Sequence, residues 1–439
     1  MDDLIAIALP ALAMGLGWGI RGQFGHETGA MVPGALVGLA LAAVSSRSPD
    51  GATALRLAAV GALACSLGGV MTYGQTLGLV HDEPHSPTRR WGLLGAAVKG
   101  AVWIGLTGAF LGMVGGGVRY APGDVALLLV ALAIAARAGL LLLNRPHDPP
   151  RALPRLYFSK RHDPRPRPEF WGGLWAAFLA LLAYLTARGD WFAVQLALWG
   201  VVGGAAGFTG GEWLQAWGMH RQPFGARVQR WLDWWKVMEV TFGLVAGAAL
   251  AVGWRRLEAN AGPFVAVPAS LPGGFETVTL LLWTAWLLAA KWGWRPAAAV
   301  WHASFAAVLL PLVGAFGGEM WPRFVVLPVL LFVSGDNVVA EWVPTQRLGW
   351  PRLAWAALLG LAVVPMWSWV HGGAPARPWL WLTVSSQTLL TVIWALGNPA
   401  LARAKGSLVV RLSALGSALV VEVVFVLMAV LIALLAAGA

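Results

Sequence analysis

The stretch "GWGIRGQFGHETGAMVPG", residues 17–34, joins two apolar runs and decides how the chain is read. It brings Arg21, Gln23, His26 and Glu27 together within seven residues. Non-helical backbone at membrane depth is tolerated only where it is buried in protein or lines a cavity. Because the stretch is short, it stays close to the apolar runs, and we predict a polar site at a helix end. The alternative is a capped turn that an Arg21–Glu27 ion pair holds together.

The composition is that of an integral membrane protein. Of 439 residues, 58% are hydrophobic and 12% are charged, whereas about a quarter of the residues in soluble domains are charged. The 27 tryptophans fit a chain with many membrane interfaces. The net charge of +11 comes from basic residues in short loops, so we expect contact with membrane lipids and no nucleic-acid partner.

Apolar runs of about 20 residues predict membrane-spanning helices. The fold class is therefore predicted to be all-α, a polytopic integral membrane helix bundle of about 14 transmembrane helices, with a range of roughly 12–14. The predicted spans are residues 4–20, 30–45, 57–80, 91–118, 123–143, 170–187, 190–214, 234–254, 276–292, 297–316, 323–340, 353–370, 379–396 and 408–437.

The basic residues indicate the orientation. Most of those in connections follow odd-numbered spans, so the positive-inside rule predicts that these connections are cytoplasmic and that both termini lie outside a bacterial inner membrane. Residues 1–143 are predicted to form a bundle of spans 1–5. A basic, Pro-rich cytoplasmic linker near anionic lipid follows at 144–169, and spans 6–14 form a second bundle at 170–439.

Glycines four residues apart predict close helix packing, because small residues let backbones approach where lipid provides no hydrophobic drive for association. These glycines are Gly108, Gly112, Gly116, Gly203, Gly207, Gly211, Gly243 and Gly247.

Two further spans end in polar residues. The stretch "GGEWLQAWGMHRQPFG" places Glu212, Gln215 and His220 at the inner end of span seven, with Glu212 and Gln215 on one helix face. Span eleven ends in "SGDNVVAEW", which carries Asp336, Asn337 and Glu341. By the predicted topology, the polar ends of spans one, three, seven and eleven converge on the cytoplasmic side.

Ionisable residues inside spans are expensive and mark functional sites. Glu239 and His302 qualify by position, with a local Lys236–Glu239 ion pair and a packing histidine as the alternatives. Lys99 also lies inside a span, where we expect it to pair with another intramembrane charge or to snorkel.

Metal and nucleotide sites are not expected. The stretch "HDEPHSPTRR", residues 81–90, contains metal-ligating residue types, but its prolines impose no ligand geometry, and a solvated turn is the better interpretation. Residues 17–22 match G-x-G-x-x-G without a preceding strand, which excludes a dinucleotide site. We predict no metal and no cofactor.

These patterns favour ion- or proton-coupled secondary transport of a small polar or anionic solute. The acids would bind protons or cations, the histidines would relay protons, Arg21 would contact an anion or carboxylate, and the amides would hold polar substrate groups. The alternatives are an integral membrane transferase acting on a lipid-linked or activated substrate at the cytoplasmic face, and a scaffold. The candidate substrate- or ion-binding residues are Arg21, Gln23, His26, Glu27, Glu212, Gln215, His220, Glu239, His302, Asp336, Asn337 and Glu341.

Overall fold

A computed structural model describes part of the chain. The described residues are 3–21, 27–71, 73–81, 87–144, 158, 169–223, 233–266, 312–313 and 315–316. Of these residues 84% are helical and none is in a strand. The predicted spans from residue 276 onward lie outside the described residues, apart from the few residues between 312 and 316.

The helices of the described part follow the apolar runs. They are α1 (Asp3–Arg21), α2 (Glu27–Val44), α3 (Gly51–Gly68), α4 (Gly74–His81), α5 (Pro87–Gly115), α6 (Pro122–Leu143), α7 (Trp171–Ala187), α8 (Trp191–Arg221) and α9 (Trp234–Glu258). Spans one, two and four to eight are each found as one helix.

Within the described ranges, five helices are long and apolar enough to cross a membrane. They are Gly51–Gly68, Thr88–Gly115, Pro122–Leu143, Trp191–Arg221 and Trp234–Glu258. Three shorter apolar helices cover Asp3–Gly19, Gly29–Val44 and Trp171–Ala187. The protein is therefore a membrane-embedded, multi-pass helical protein, and the count of fourteen spans stays a prediction.

The prediction of span three as one helix over 57–80 is wrong, because the chain breaks between α3 and α4. The Gly69 N–H donates to the Ser66 carbonyl at 2.9 Å, which leaves the Cys65 carbonyl without its helical donor. The Trp103 indole N–H donates to that carbonyl at 2.7 Å. A Cβ on Gly68 would collide with the same indole ring. A side chain from α5 thus replaces the next helical hydrogen bond of α3.

The predicted close packing at glycines is confirmed. A Cβ on Gly207 of α8 would lie 2.7 Å from the Phe242 carbonyl oxygen of α9, and one on Gly247 of α9 would lie 2.5 Å from the Pro10 carbonyl oxygen of α1. The other six predicted glycines also face backbone or side-chain atoms of a neighbouring segment at distances too short for a Cβ. Helices α5, α8, α9 and α1 consequently pack in a continuous row.

The end of the bundle where α8 begins and α9 ends is fastened by side chains. Arg47 donates to the Gly115 carbonyl at 2.7 Å and to the Gly262 carbonyl at 2.9 Å, and its guanidinium lies 4.1 Å from the centre of the Phe264 ring. Glu258, at the end of α9, accepts a hydrogen bond from the Ser45 hydroxyl at 2.9 Å. These contacts tie the ends of α2, α5 and α9 together.

Tyr120, between α5 and α6, makes the stability of this end of the bundle depend on pH. Its hydroxyl donates to Asp190 at 2.6 Å, and burial followed by the Asp190 carboxylate raises the pKa of Tyr120 above its ordinary value. The folded pKa exceeds the unfolded value of about 10, so this stability is present below pH ~10 and is lost as pH rises above it, by about 1.4 kcal/mol per pH unit. We expect the wild-type thermal midpoint to fall more steeply between about pH 10 and 11.5 than that of Tyr120→Phe, when both are followed in detergent. Parallel curves would contradict this.

Candidate functional site

Arg21, which ends α1, is buried in protein. Its side chain is 2% exposed, and its Nε lies 4.0 Å from Glu239 Oε1. It also donates a hydrogen bond to the Tyr73 hydroxyl. The first residue of the polar turn is therefore held inside the bundle by α9 and by the break before α4. Whether Arg21 also meets Glu27 stays a prediction, since the described residues leave out the side chain of Glu27.

Glu239 faces two cations. The Lys236 ammonium donates to Glu239 Oε2 at 2.6 Å, which confirms the local ion pair expected from their spacing. The Trp235 indole N–H donates to Oε1 at 3.1 Å. Asp233 accepts hydrogen bonds from the first backbone N–H groups of α9 and thereby sets the helix start. Glu239 is thus held by groups from its own first turns and from α1.

Glu212 is a fully buried carboxylate on α8. Its Oε2 lies 3.6 Å from His81 Nε2, and neither of its carboxylate oxygens accepts a hydrogen bond from the described residues. Gln215 lies almost one turn further along α8 and is 2% exposed. His220 is exposed, and its Nε2 lies 2.8 Å from the His81 carbonyl oxygen. Glu212, His81 and His220 therefore form a series that runs from the interior to the surface.

A further pair of buried charges, Lys99 and Glu169, lies close to α4. The Lys99 ammonium of α5 lies 3.1 Å from Glu169 and donates to the Thr76 hydroxyl at 2.8 Å. Arg137 of α6, another basic residue inside a predicted span, is exposed. Lys99 thereby fastens the start of α4 and the segment that leads into α7 to the middle of the bundle.

Aromatic rings line the space around Arg21. The guanidinium carbon lies 4.8 Å from the ring centre of Trp18, 5.0 Å from that of Tyr73 and 5.5 Å from that of Trp103. The rings of Phe208 and Phe242 stack at 4.8 Å nearby, in contact with these residues. These tryptophans lie in the interior, although the composition had suggested the membrane interface.

The structure brings together part of the predicted convergence. The described ends of spans one, three and seven meet, and the start of span eight joins them. Gln23, His26, His302, Asp336, Asn337 and Glu341 lie outside the described residues, so their roles stay predictions.

Sequence reasoning missed several members of this region. Tyr73 precedes the short helix α4 and His81 is its last residue, and "GGVMTYGQ" at residues 68–75 carries the same glycine-rich signal as the end of α1. That similarity was the sequence signal from which Tyr73 and His81 could have been identified. Nothing local to Lys99 or Glu169 indicates that the two would pair.

Among the described residues, no group of three or more His, Cys, Asp or Glu side chains could hold a metal ion. Comparisons with models of known protein families, with characterised proteins and with solved structures find no match for this chain. The function is therefore argued from the geometry of these buried groups.

Proposed function

We propose that this chain is a secondary transporter of a bacterial inner membrane that couples movement of a proton or cation to that of a small polar or anionic solute. In this proposal both termini lie outside and the polar end, at Arg21 and Glu212, faces the cytoplasm. The observation that carries the proposal is Glu212, a buried carboxylate that accepts no hydrogen bond from the described residues.

An isolated carboxylate is costly to bury while it is charged. Binding of a proton or a cation removes that cost, and intramembrane acids in transporters serve this purpose. Since His81 is 3.6 Å from Glu212 and only partly buried, it is suited to pass a proton between the surface and the carboxylate.

Arg21 and Glu239 support the solute-binding part of the proposal. Glu239 lies within 4.0 Å of Arg21 and makes a 2.6 Å contact with Lys236. A solute carboxylate that competes for Arg21 would leave Glu239 paired with Lys236. The solute can therefore exchange partners with the protein without leaving an unpaired buried charge.

Glu212→Gln tests the coupling step. We expect wild-type protein in liposomes to show proton movement that depends on an added solute, followed with a trapped pH-sensitive dye across a panel of amino acids, trimethylglycine and small carboxylates. In Glu212→Gln, this movement should fall to the level of protein-free vesicles, because an amide cannot bind and release the proton. The thermal midpoint should stay the same or rise, since the variant has no charge at this buried position.

Asp124→Asn is the matched control. Asp124 is a half-exposed acid at the opposite end of the bundle, 3.8 Å from Arg188, and its neutralisation should leave the flux unchanged. Full solute-dependent proton movement in Glu212→Gln would overturn the role of Glu212. Membranes that convert a lipid-linked substrate, show no solute flux and lose conversion in Glu212→Gln would instead support the transferase alternative.

A further inference from the structure

The rings of Trp18, Tyr73 and Trp103 form what we call the aromatic box. Their centres lie 4.8, 5.0 and 5.5 Å from the Arg21 guanidinium carbon, all within the distance at which a cation is attracted to an aromatic face. Trp18 and Trp103 pack edge to face at 4.9 Å. One cation thus contacts three rings that come from three separate segments of the fold.

The box is shielded from solvent. Trp18 is 1% exposed, Trp103 is 0% and Tyr73 is 5%. The attraction between a cation and a ring is stronger when both are desolvated. Aromatic boxes of this kind are how proteins recognise quaternary ammonium and related organic cations, which a hydrated metal ion cannot replace.

The electrostatics around the box also suit an organic cation. Glu239 lies 4.0 Å from the Arg21 Nε and also forms a 2.6 Å ion pair with Lys236. If a ligand cation replaces the guanidinium, the charge inside the box does not change. The buried site therefore tolerates the exchange, whereas simple removal of Arg21 would leave fewer cations beside Glu239.

Two features explain where the Arg21 guanidinium can go when a ligand cation displaces it. Arg21 is the last residue of α1, so its side chain is attached at a helix end rather than in the middle of a helix. The Trp18 indole N–H is buried and donates to no acceptor among the described residues. A displaced guanidinium and this free donor can both bind a carboxylate carried by the same solute.

We propose that the aromatic box is the site for the cationic head of a zwitterionic or cationic organic solute, bearing a quaternary ammonium or guanidinium group, and that Arg21 occupies the box in its absence. This inference names the solute class and rests on the proposed transport function only for the step of movement across the membrane. Binding is tested separately from transport.

The binding test uses the purified full-length chain in detergent. In Arg21→Ala the box is empty, and we expect millimolar tetramethylammonium or methylguanidinium to raise the thermal midpoint in a saturable way, while sodium at equal ionic strength does not. Adding Trp18→Leu should raise the half-saturating concentration about tenfold, because one buried cation–ring contact is lost. Trp18→Phe is the matched control that keeps a ring.

The transport test uses wild-type protein in liposomes and does not depend on the folding of any variant. We expect uptake of radiolabelled trimethylglycine that tetramethylammonium inhibits and sodium acetate does not. If neither tetramethylammonium nor methylguanidinium stabilises Arg21→Ala, and neither inhibits uptake by the wild type, the aromatic box is not a solute site. Saturable binding without any uptake would support the aromatic box as a binding site and contradict the proposed transport function. Uptake of carboxylates alone, unaffected by organic cations, would support the proposed transport function and contradict the aromatic box as a solute site.

Discussion

Replacing Gly204 with alanine is expected to destabilise the folded protein by about 3 kcal/mol. Gly204 of α8 and Gly100 of α5 face each other, and a Cβ on Gly204 would lie 2.7 Å from the Gly100 carbonyl carbon and closer still to its oxygen. The obstacle is backbone, which cannot move without shifting the whole helix. The loss should appear as a lower thermal midpoint in detergent and a lower yield of monodisperse protein.

Gly210→Ala is the matched control for this experiment. Gly210 lies on the same helix, and a Cβ there meets nothing within 4 Å. Since alanine has a higher helix propensity than glycine by about 1 kcal/mol, this variant should be as stable as the wild type or more stable. Equal midpoints for the two variants would show that α5 and α8 are not in backbone contact.

The Gly100–Gly204 contact also sets the position of the buried charges. Gly100 follows Lys99 on α5, and Gly204 lies two turns before Glu212 on α8. Forcing these helices apart therefore shifts Lys99 relative to Thr76 and Glu169, and the aromatic residue Phe208 relative to the box. Gly204→Ala should lose solute-dependent proton movement along with its stability.

Lys99→Met is expected to cost about 3–5 kcal/mol, because it leaves the Glu169 carboxylate buried beside an apolar side chain. Lys99 and Glu169 are both 0% exposed, and their charged atoms are 3.1 Å apart. Thr76 also loses the donor that reaches its hydroxyl at 2.8 Å. The measurement is the thermal midpoint of the purified variant, supported by its yield.

Neutralising both partners should restore much of the loss. Lys99→Met with Glu169→Gln removes both charges of the buried pair, so the double variant should be more stable than Lys99→Met alone. Arg137→Met, on neighbouring α6, is the control because Arg137 is exposed, and it should change stability by less than about 0.5 kcal/mol. A double variant no better than Lys99→Met would mean that the two residues do not act as a pair.

The sequence alone determined the features that depend on local composition. Apolar runs located the helices of the described part, because the transfer of about 20 residues into lipid is a property of the run itself. Glycine spacing located the faces at which helices meet, and the spacing of Lys236 and Glu239 predicted their ion pair. It also identified Arg21 as a polar residue at a helix end. Glu212 was predicted at the end of span seven as well, but α8 continues to Arg221, so Glu212 lies inside the helix.

Only the tertiary structure decided which of these groups are partners. Arg21 meets Glu239 and the rings of Tyr73 and Trp103, Glu212 meets His81, and Lys99 meets Glu169, all across segments distant in sequence. The break after Gly68 likewise depends on the Trp103 indole, which comes from another helix. Such contacts follow from the crossing positions of packed helices, which glycine–backbone contacts set. A hydropathy pattern describes each helix against lipid and carries no information on which buried polar groups face one another.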